Sequence, residues 1–279
     1  MTNNNVKVAD IVPNFRVDGR LAIITGCGSP GNLAYASAQG LLAQGASVAL
    51  SDINYEGVQK AAAALADFAT QNDIPLTATS ISSWKIDVSD ANEISTTFKK
   101  INEHHGQVAD LLLNCAGFCY NIAALDFPPE KAQKLINCNL MGSLFTAQSF
   151  AQNLVANKMT GSVIMIASMS GLIVNEPQPQ CVYNMSKAGV IHLAKSLGAE
   201  WATLGIRVNA ISPAYIDTPI NAELIKDVAL LKHWEDRTPM NRLAQPEEFI
   251  GTVLYLAQNK ASSYTTGANI VVDGGFTCW

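Results

Sequence analysis

Short apolar runs alternate along this chain with longer stretches of helical character, from about residue 21 to the C-terminus. The short runs predict seven β-strands, which fall near residues 21–25, 47–51, 82–86, 109–113, 161–167, 206–211 and 269–272. The longer stretches predict six helices, near residues 32–44, 55–71, 90–104, 130–157, 181–204 and 246–257. This alternation predicts an α/β fold with one doubly wound sheet of about seven parallel strands and helices on both faces.

No linker or low-complexity stretch divides the 279 residues. We therefore expect residues 21–279 to form a single domain, preceded by an N-terminal extension at residues 1–20. The first residues, Met1–Asn5, are polar and lack the apolar core of a signal peptide. No apolar stretch is long enough to cross a bilayer without polar interruption. These features predict a cytoplasmic protein with no membrane partner.

Composition narrows the classes of function. With 48% hydrophobic and 15% charged residues, the chain is typical of a soluble α/β enzyme. Its net charge of −5 leaves no basic surface, so we expect no nucleic-acid partner. The six cysteines include no C-x-x-C pair and no histidine cluster accompanies them, so we predict no metal site and no disulfide framework.

A glycine-rich turn follows the first predicted strand. Gly26, Gly28 and Gly31 precede a helical stretch that starts at Asn32 and Leu33. Glycines let the backbone approach a pyrophosphate, and a helix N-terminus supplies free N–H groups and positive potential. The spacing departs from G-x-G-x-x-G, so an ordinary surface turn is the alternative. In this strand–turn–helix context we predict a dinucleotide-binding turn.

The second predicted strand ends in a carboxylate, Asp52. This residue lies about 20 positions after the glycine turn, where an acid that binds a ribose is expected. A carboxylate accepts hydrogen bonds from ribose hydroxyls and repels a 2′-phosphate. No Arg or Lys follows in Ile53–Glu56, so the sequence favours NAD over NADP.

Tyr183 and Lys187 are four residues apart in a predicted helix, which places both side chains on one face. A free phenol has a pKa of about 10 and is a poor acid or base near neutral pH. A neighbouring ammonium group favours the phenolate and is expected to lower that pKa. The pair is therefore suited to proton transfer in a reaction between a carbonyl and an alcohol.

Small or polar residues stand at the ends of the predicted strands. They are Gly26, Asp52, Asp87, Asn114, Ser168 and Pro213. Ligands of open α/β sheets bind at the carboxyl ends of the strands. These residues should therefore line one crevice for a cofactor.

Taken together, these motifs resemble the short-chain dehydrogenase/reductase family over nearly the whole chain, from about Leu21. The segments that carry the resemblance are Thr25-Gly26, Asp87-Val88, Asn114–Gly117, Asn139, Ser168, Tyr183-x-x-x-Lys187, Arg207–Asn209, Ser212-Pro213, Thr266-Gly267 and Asp273–Gly275. The resemblance implies a Rossmann fold, hydride transfer to or from a nicotinamide cofactor, and no catalytic metal.

The resemblance also implies a role for each matching residue. The catalytic residues would be Asn139, Ser168, Tyr183 and Lys187, with Asn139 bending its helix and holding a water molecule. The cofactor contacts would come from Gly26, Gly31, Asn32, Leu33, Asp52, Ile53, Asp87, Val88, Asn114, Ala116, Gly117, Tyr183, Lys187, Pro213, Ile216 and Thr218. Two details depart from the family pattern: Asn32, Leu33 and Ala34 occupy the later glycine positions of the turn, and Ala214 replaces glycine.

Within the family, the chain is most similar to fungal polyol dehydrogenases and ketose reductases. This implies an NAD-dependent exchange between a polyol and a ketose, D-arabinitol and D-ribulose in particular. The substrate residues would be Ser168, Ser170, Glu176, Gln178 and Tyr183, with Gln180 as a further candidate. We assign the catalytic serine to Ser168 over Ser170 because Gly171 follows it at the family's spacing. A proline-stiffened surface loop is the alternative for residues 175–180.

Two other functions stay open. One is an NADPH-dependent reductase of ketones or of sorbose- or xylulose-type sugars, which Asp52 opposes. The other is a nucleotide-sensing module without turnover, which the Tyr183–Lys187 pair opposes. The family resemblance implies a homotetramer, and the apolar helix at 181–204 either packs in the core or is covered by a partner.

Overall fold

The computed structural model describes residues 14–219 and 221–279. Seven parallel strands form one sheet in the order β3-β2-β1-β4-β5-β6-β7. They are β1 (Leu21–Thr25), β2 (Ser47–Asp52), β3 (Ile81–Lys85), β4 (Leu111–Asn114), β5 (Gly161–Ile166), β6 (Ile206–Pro213) and β7 (Asn269–Val272). The predicted doubly wound α/β fold with a single seven-stranded parallel sheet is confirmed.

The helices cover both faces of the sheet. They are α1 (Leu33–Ala43), α2 (Tyr55–Gln71), α3 (Ala91–His105), α4 (Pro129–Ile136), α5 (Gly142–Ala156), α6 (Cys181–Glu200), α7 (Ala222–Ile225), α8 (Val228–Arg237) and α9 (Ile250–Ala257). Among residues 14–219 and 221–279, no helix combines the length and the apolar character that crossing a membrane requires.

Two hydrophobic cores lie on opposite faces of the sheet. Successive strand residues point to opposite faces, so Ile23 belongs to one core and Ile24 to the other. Helices α1, α2 and α9 cover the face of Ile24, and α3, α5 and α6 cover the face of Ile23. Because both faces are covered, strands β1, β2, β4 and β5 read as nearly continuous apolar runs, whereas β3, at the sheet edge, does not.

The helix predicted at 130–157 is interrupted. It consists of α4, a π turn at Asn137–Met141, and α5. The helix predicted at 181–204 ends at Glu200, and a short 3-10 turn, Ala202–Leu204, follows it. The segment 214–245, for which the sequence predicts no helix, contains α7 and α8.

The structure describes the last residues of the predicted N-terminal extension. Residues 1–13 lie outside the described residues. Within residues 14–20, Val17 is buried, and its N–H donates to the Gln44 carbonyl over 2.9 Å. This end of the extension therefore packs against the loop between α1 and β2.

Candidate active site

The glycine turn is built by close packing against the neighbouring strand. Gly26 has φ of +75°, and a Cβ added there would lie 2.6 Å from the Ala116 backbone nitrogen. A side chain at this position is excluded by both the backbone conformation and the contact. The Thr25 hydroxyl accepts hydrogen bonds from the N–H groups of Cys115 and Ala116, at 3.2 Å each. The ends of β1 and β4 are thereby joined at the floor of the crevice.

The predicted turn residue Asn32 shapes the start of α1. Its Oδ1 accepts from the Tyr35 N–H over 2.8 Å, and its Nδ2 donates to the Gly26 carbonyl over 3.0 Å. The side chain therefore caps the helix and closes the turn. Within the described residues, the N–H groups of Leu33 and Ala34 have no acceptor. Free amides at the start of an eleven-residue helix fit the pyrophosphate of a dinucleotide.

Asp52 lies against the glycine turn, as its spacing predicts. A Cβ added to Gly28 would come within 2.7 Å of the Asp52 carboxyl carbon. The Asp52 Oδ1 accepts from the Asn54 N–H over 2.9 Å, and Oδ2 has no partner within the described residues. The next side chain, Ile53, is exposed. This half-paired carboxylate beside the turn fits a ribose diol, which donates two hydrogen bonds.

The other residues predicted to contact the adenine half line the same sheet edge. Asp87 follows β3, and its Oδ1 accepts from the Ser89 N–H over 2.9 Å and the Ser89 hydroxyl over 2.6 Å. Val88 packs against Gly142, where an added Cβ would lie 2.8 Å away. Val88 therefore holds the start of α5 close to the crevice.

The side chain of Asn114, which was predicted to contact the cofactor, is buried inside the domain. There, Oδ1 accepts from the Thr146 hydroxyl over 2.7 Å and Nδ2 donates to the Ser143 carbonyl over 3.2 Å. These bonds join β4 to α5. Asn114 thus positions the turn that contains Ala116 and Gly117, and its own side chain faces inward.

Tyr183 and Lys187 lie on α6 at the carboxyl end of β5. The Lys187 Nζ is 5.7 Å from the centre of the Tyr183 ring and donates to the Ile166 carbonyl over 2.7 Å. An added Cβ on Gly117 would lie 3.5 Å from the same Nζ. The four-residue spacing therefore does place the amine beside the phenol, between two strand ends.

The protonation of this pair corrects one expectation. Burial raises the pKa of Tyr183, neighbouring Cys119 and Tyr215 raise it further, and a hydrogen bond with Ser168 lowers it. Burial also lowers the pKa of Lys187 to about 8. The predicted lowering of the Tyr183 pKa by Lys187 is therefore not found, because burial is the largest influence on the pKa of both groups. In this state the phenol is neutral, and the lysine loses its proton more readily than usual.

Asn139 sits in the π turn and is fully buried. Its Nδ2 donates to the Phe118 carbonyl over 2.9 Å and to the Ser186 hydroxyl over 3.2 Å, and its Oδ1 accepts from the Phe118 N–H over 3.0 Å. The side chain therefore ties the loop after β4 to α6. The irregular turn occurs at the residue that the family resemblance expects to bend the helix.

Ser168 and Ser170 are linked. The Ser168 hydroxyl and the Ser170 hydroxyl are 3.0 Å apart, and the Ser170 N–H donates to the Ser168 Oγ over 3.1 Å. The Gln180 amide donates to the Ser170 hydroxyl over 3.3 Å and accepts from the Cys119 thiol over 3.5 Å. Ser168, Ser170 and Gln180 are all buried, so these bonds hold the Ser168 side chain in a fixed network.

Two predicted substrate residues have other partners. Glu176 is exposed and pairs with the Arg237 guanidinium over 2.9 Å. Gln178 is buried, and its amide lies 3.4 Å from both the Tyr215 hydroxyl and the Trp234 indole nitrogen. Glu176 therefore joins the loop to α8 at the surface. Gln178 joins the same loop to Tyr215 and Trp234.

The segment after β6 contains the predicted cofactor contacts Ile216 and Thr218 and also Tyr215, which the sequence did not single out. Pro213 ends β6, and Ile216 pairs with Ala244 in a parallel bridge. Tyr215, between them, stacks on Trp234 with ring centres 3.9 Å apart. From the sequence, Tyr215 could have been identified only by its position two residues after the end of a strand. Thr218 is buried at the end of the same segment.

Comparisons with known proteins match the whole domain. A protein-family profile described as enoyl-(acyl carrier protein) reductase matches residues 26–277. D-arabinitol 2-dehydrogenase (ribulose-forming) of Scheffersomyces stipitis is 52% identical over 275 residues, which cover 97% of this chain and 98% of that protein. An NADH-dependent L-xylulose reductase of Ambrosiozyma monospora is 43% identical, covering 98% of this chain and 100% of that protein. A short-chain type dehydrogenase/reductase from Mycobacterium marinum superposes with a TM-score of 0.86 at 34% identity, covering 95% and 98% of the two chains.

Proposed function

The chain belongs to the short-chain dehydrogenase/reductase family, and on that premise we propose that it interconverts D-arabinitol and D-ribulose with NAD(H). The observation that carries the proposal is the placement of Tyr183, Lys187 and Ser168 at the sheet edge that also holds the glycine turn and Asp52. The substrate pair is taken from the relatives named as D-arabinitol 2-dehydrogenases, which are about half identical to this chain over nearly its full length.

We propose that the amides at the start of α1 hold the pyrophosphate and that Asp52 accepts the hydroxyls of the adenine ribose. Bound NAD would supply the carbon that accepts the hydride. The preference for NAD over NADP rests on the charge of Asp52 and on the absence of a basic side chain at Ile53. The use of NADH by the L-xylulose reductase relative is consistent with it.

The chain's own residues would handle the proton. When the alcohol is oxidised, its carbon loses a hydride to the cofactor, its hydroxyl proton passes to the Tyr183 oxygen while the phenol's own proton passes on to the neutral Lys187 amine, and the C–O bond becomes a carbonyl. The Ser168 hydroxyl donates to the same substrate oxygen and orients it. Because the pKa of Lys187 is lowered to about 8, its amine can take up and release the proton that Tyr183 gains or loses. Reduction of the ketose reverses each transfer.

Tyr183→Phe tests the proton-transfer role. Removal of the hydroxyl should lower kcat for D-arabinitol by about 10²- to 10⁴-fold, the range expected for general acid–base catalysis. The rate is followed by the absorbance of reduced nicotinamide. Tyr255→Phe is the control, because its hydroxyl also has a partner, Thr265 at 2.8 Å, but lies on α9. Equal activity of the two variants would contradict the proposal.

The product tests the substrate assignment. D-arabinitol oxidised at one secondary carbon gives D-ribulose, and oxidised at another it gives D-xylulose. We expect D-ribulose from the wild-type protein with NAD. Production of a xylulose instead would favour the xylulose-type reading. Absence of turnover with all pentitols and both cofactors would favour a nucleotide-binding module.

We also propose a homotetramer in the cytoplasm. Val190, Ala194 and Leu197 of α6 are buried within this chain, so the sheet itself accounts for most of that helix's apolar character. Met185, 56% exposed on the same helix, supports an interface there. Sedimentation equilibrium of the wild type and of Met185→Lys tests the assembly; a monomeric wild type would contradict it.

A further inference from the structure

Tyr215 lies at the reacting end of the sheet. Strands β5 and β6 are paired up to their carboxyl ends, where the Ala167 N–H donates to the Ile211 carbonyl over 2.8 Å. Ser168 follows β5 by two residues, and Tyr215 follows β6 by two residues. The two side chains therefore leave neighbouring strands at the same edge.

The Tyr215 ring is held on two sides. It stacks on Trp234 with an interplanar angle of 11°, and the Phe276 ring meets it edge-on with ring centres 5.6 Å apart. Trp234, which belongs to α8, is completely buried. Packing of this kind fixes the direction of the hydroxyl. The stacking needs only the aromatic ring, so the hydroxyl itself requires another explanation.

Two amides contact the Tyr215 hydroxyl, Gln178 at 3.4 Å and Asn175, which makes the shorter contact. The Asn175 Nδ2 donates to the Tyr215 hydroxyl over 3.1 Å, and the residue is buried, with 5% of its surface exposed. Within the described residues, its Oδ1 has no hydrogen-bond partner. Buried carbonyl oxygens are nearly always paired, so an acceptor left open beside an active site points to a ligand that donates. Ser170 and Gln180, by contrast, are paired with each other.

We propose that Asn175 and Tyr215 form a subsite that hydrogen-bonds a hydroxyl of the polyol, on a carbon other than the one that loses hydride. The substrate hydroxyl would donate to the Asn175 Oδ1 and accept from the Tyr215 hydroxyl. A site built from buried polar groups discriminates strongly against a substrate that cannot pair with them. The subsite would therefore select the configuration of the pentitol. This inference rests on the proposed function.

The experiment compares D-arabinitol with its epimers ribitol and xylitol, using NAD and the wild type, Asn175→Ala, Tyr215→Phe and the control Tyr255→Phe. We expect the wild type to prefer D-arabinitol. In Asn175→Ala and Tyr215→Phe, the ratio of kcat/KM for D-arabinitol to that for the epimers should fall by about tenfold or more, which is the effect of leaving one buried hydrogen bond unmade. KM for NAD should stay within about twofold, and Tyr255→Phe should keep the wild-type ratio.

Several results would overturn the subsite. These are a wild type that does not distinguish the pentitols, variants that keep the ratio, and variants in which kcat/KM for all three pentitols falls in parallel. The last result would assign Asn175 and Tyr215 a purely structural role, and thermal unfolding of each variant would show it as a lowered midpoint. A wild type inactive on every pentitol with either cofactor would refute the proposed function itself, and the subsite with it.

Discussion

Replacing Asp52 with Asn should shift cofactor use from NAD toward NADP. The substitution removes the negative charge but keeps the shape of the side chain. An Asn at this position can still accept from the Asn54 N–H through Oδ1, so the local turn should persist. The glycine turn that packs against this side chain should also be undisturbed, because the contact with Gly28 depends on size. The change therefore isolates the charge.

The size of the effect follows from two contributions. Hydrogen bonds to a charged group stabilise by about 1.5–3 kcal/mol, and those to a neutral group by about 1 kcal/mol, so NAD should lose about 1–2 kcal/mol. A phosphate about 4 Å from the carboxylate is repelled by about 1 kcal/mol in water and by about 4 kcal/mol at an effective dielectric constant of 20. Asp52 is partly exposed, so we take about 1–2 kcal/mol for NADP. Together, the ratio of kcat/KM for NAD to NADP should fall by about 30- to 1000-fold.

The assay is initial-rate kinetics on D-arabinitol with each cofactor at about 0.1 M salt, where distant surface charges are screened. Asp67→Asn is the control, because it makes the same change in net charge on the exposed side of α2. It should leave the cofactor ratio unchanged. If Asp52→Asn shifts the ratio no more than Asp67→Asn does, the assignment of Asp52 to the ribose is wrong.

Three further predictions concern stability and the site. Lys187→Met should abolish turnover yet raise the free energy of unfolding at pH 7 by about 2 kcal/mol. Burial lowers the Lys187 pKa from 10.5 to about 8, which destabilises the folded wild type by about 3 kcal/mol at this pH. The variant is relieved of this cost but loses the hydrogen bond to the Ile166 carbonyl, which offsets about 1 kcal/mol. The Lys187 amine binds its proton more tightly in the unfolded wild type than in the folded one, so wild-type stability should rise between pH 8 and pH 10.5 and the difference from Lys187→Met should shrink. Urea unfolding of both proteins at these two pH values measures that difference, and a constant difference would contradict the prediction. Gly26→Ala should lower the unfolding midpoint sharply, because the added Cβ would collide with the Ala116 backbone. Gly251→Ala, on a helix with open space around it, should instead stabilise the protein by about 0.5–1 kcal/mol. Similar effects of the two substitutions would refute the close packing of Gly26 against Ala116. Glu176→Gln should change kcat/KM for D-arabinitol less than about threefold, because an exposed ion pair with Arg237 contributes about 0–1 kcal/mol; a larger loss would restore Glu176 to the substrate site.

The strands were the most predictable part of the fold. All seven lie within two residues of the predicted positions, because both faces of the sheet are covered and the inner strands β1, β2, β4 and β5 are largely apolar; β3, at the sheet edge, is more polar. Helices were predictable where the helical pattern is long. The break at Asn139 was not visible as a pattern, since its cause is the pairing of that side chain with Phe118 and Ser186, both distant in sequence.

Helix α8 shows a local signal that was overlooked. Asp227 accepts from the N–H groups of Ala229 and Leu230, as an N-cap residue does before a helical stretch. The helix could therefore have been predicted from residues 227–237. Its function could not, because Trp234 contacts Tyr215 and Gln178, which come from two other segments.

Asn175 and Glu176 illustrate the division between sequence and structure. The sequence alone determined the order of strands and helices, the crevice at the carboxyl edge, and the types of side chain available to it, since all of these follow from local patterns. Only the tertiary structure decided that the Glu176 carboxylate pairs with Arg237 while the buried Asn175 oxygen stays open. The physical reason is that a polar atom's partner is set by which distant segment packs against it, and adjacent residues in a loop point in different directions.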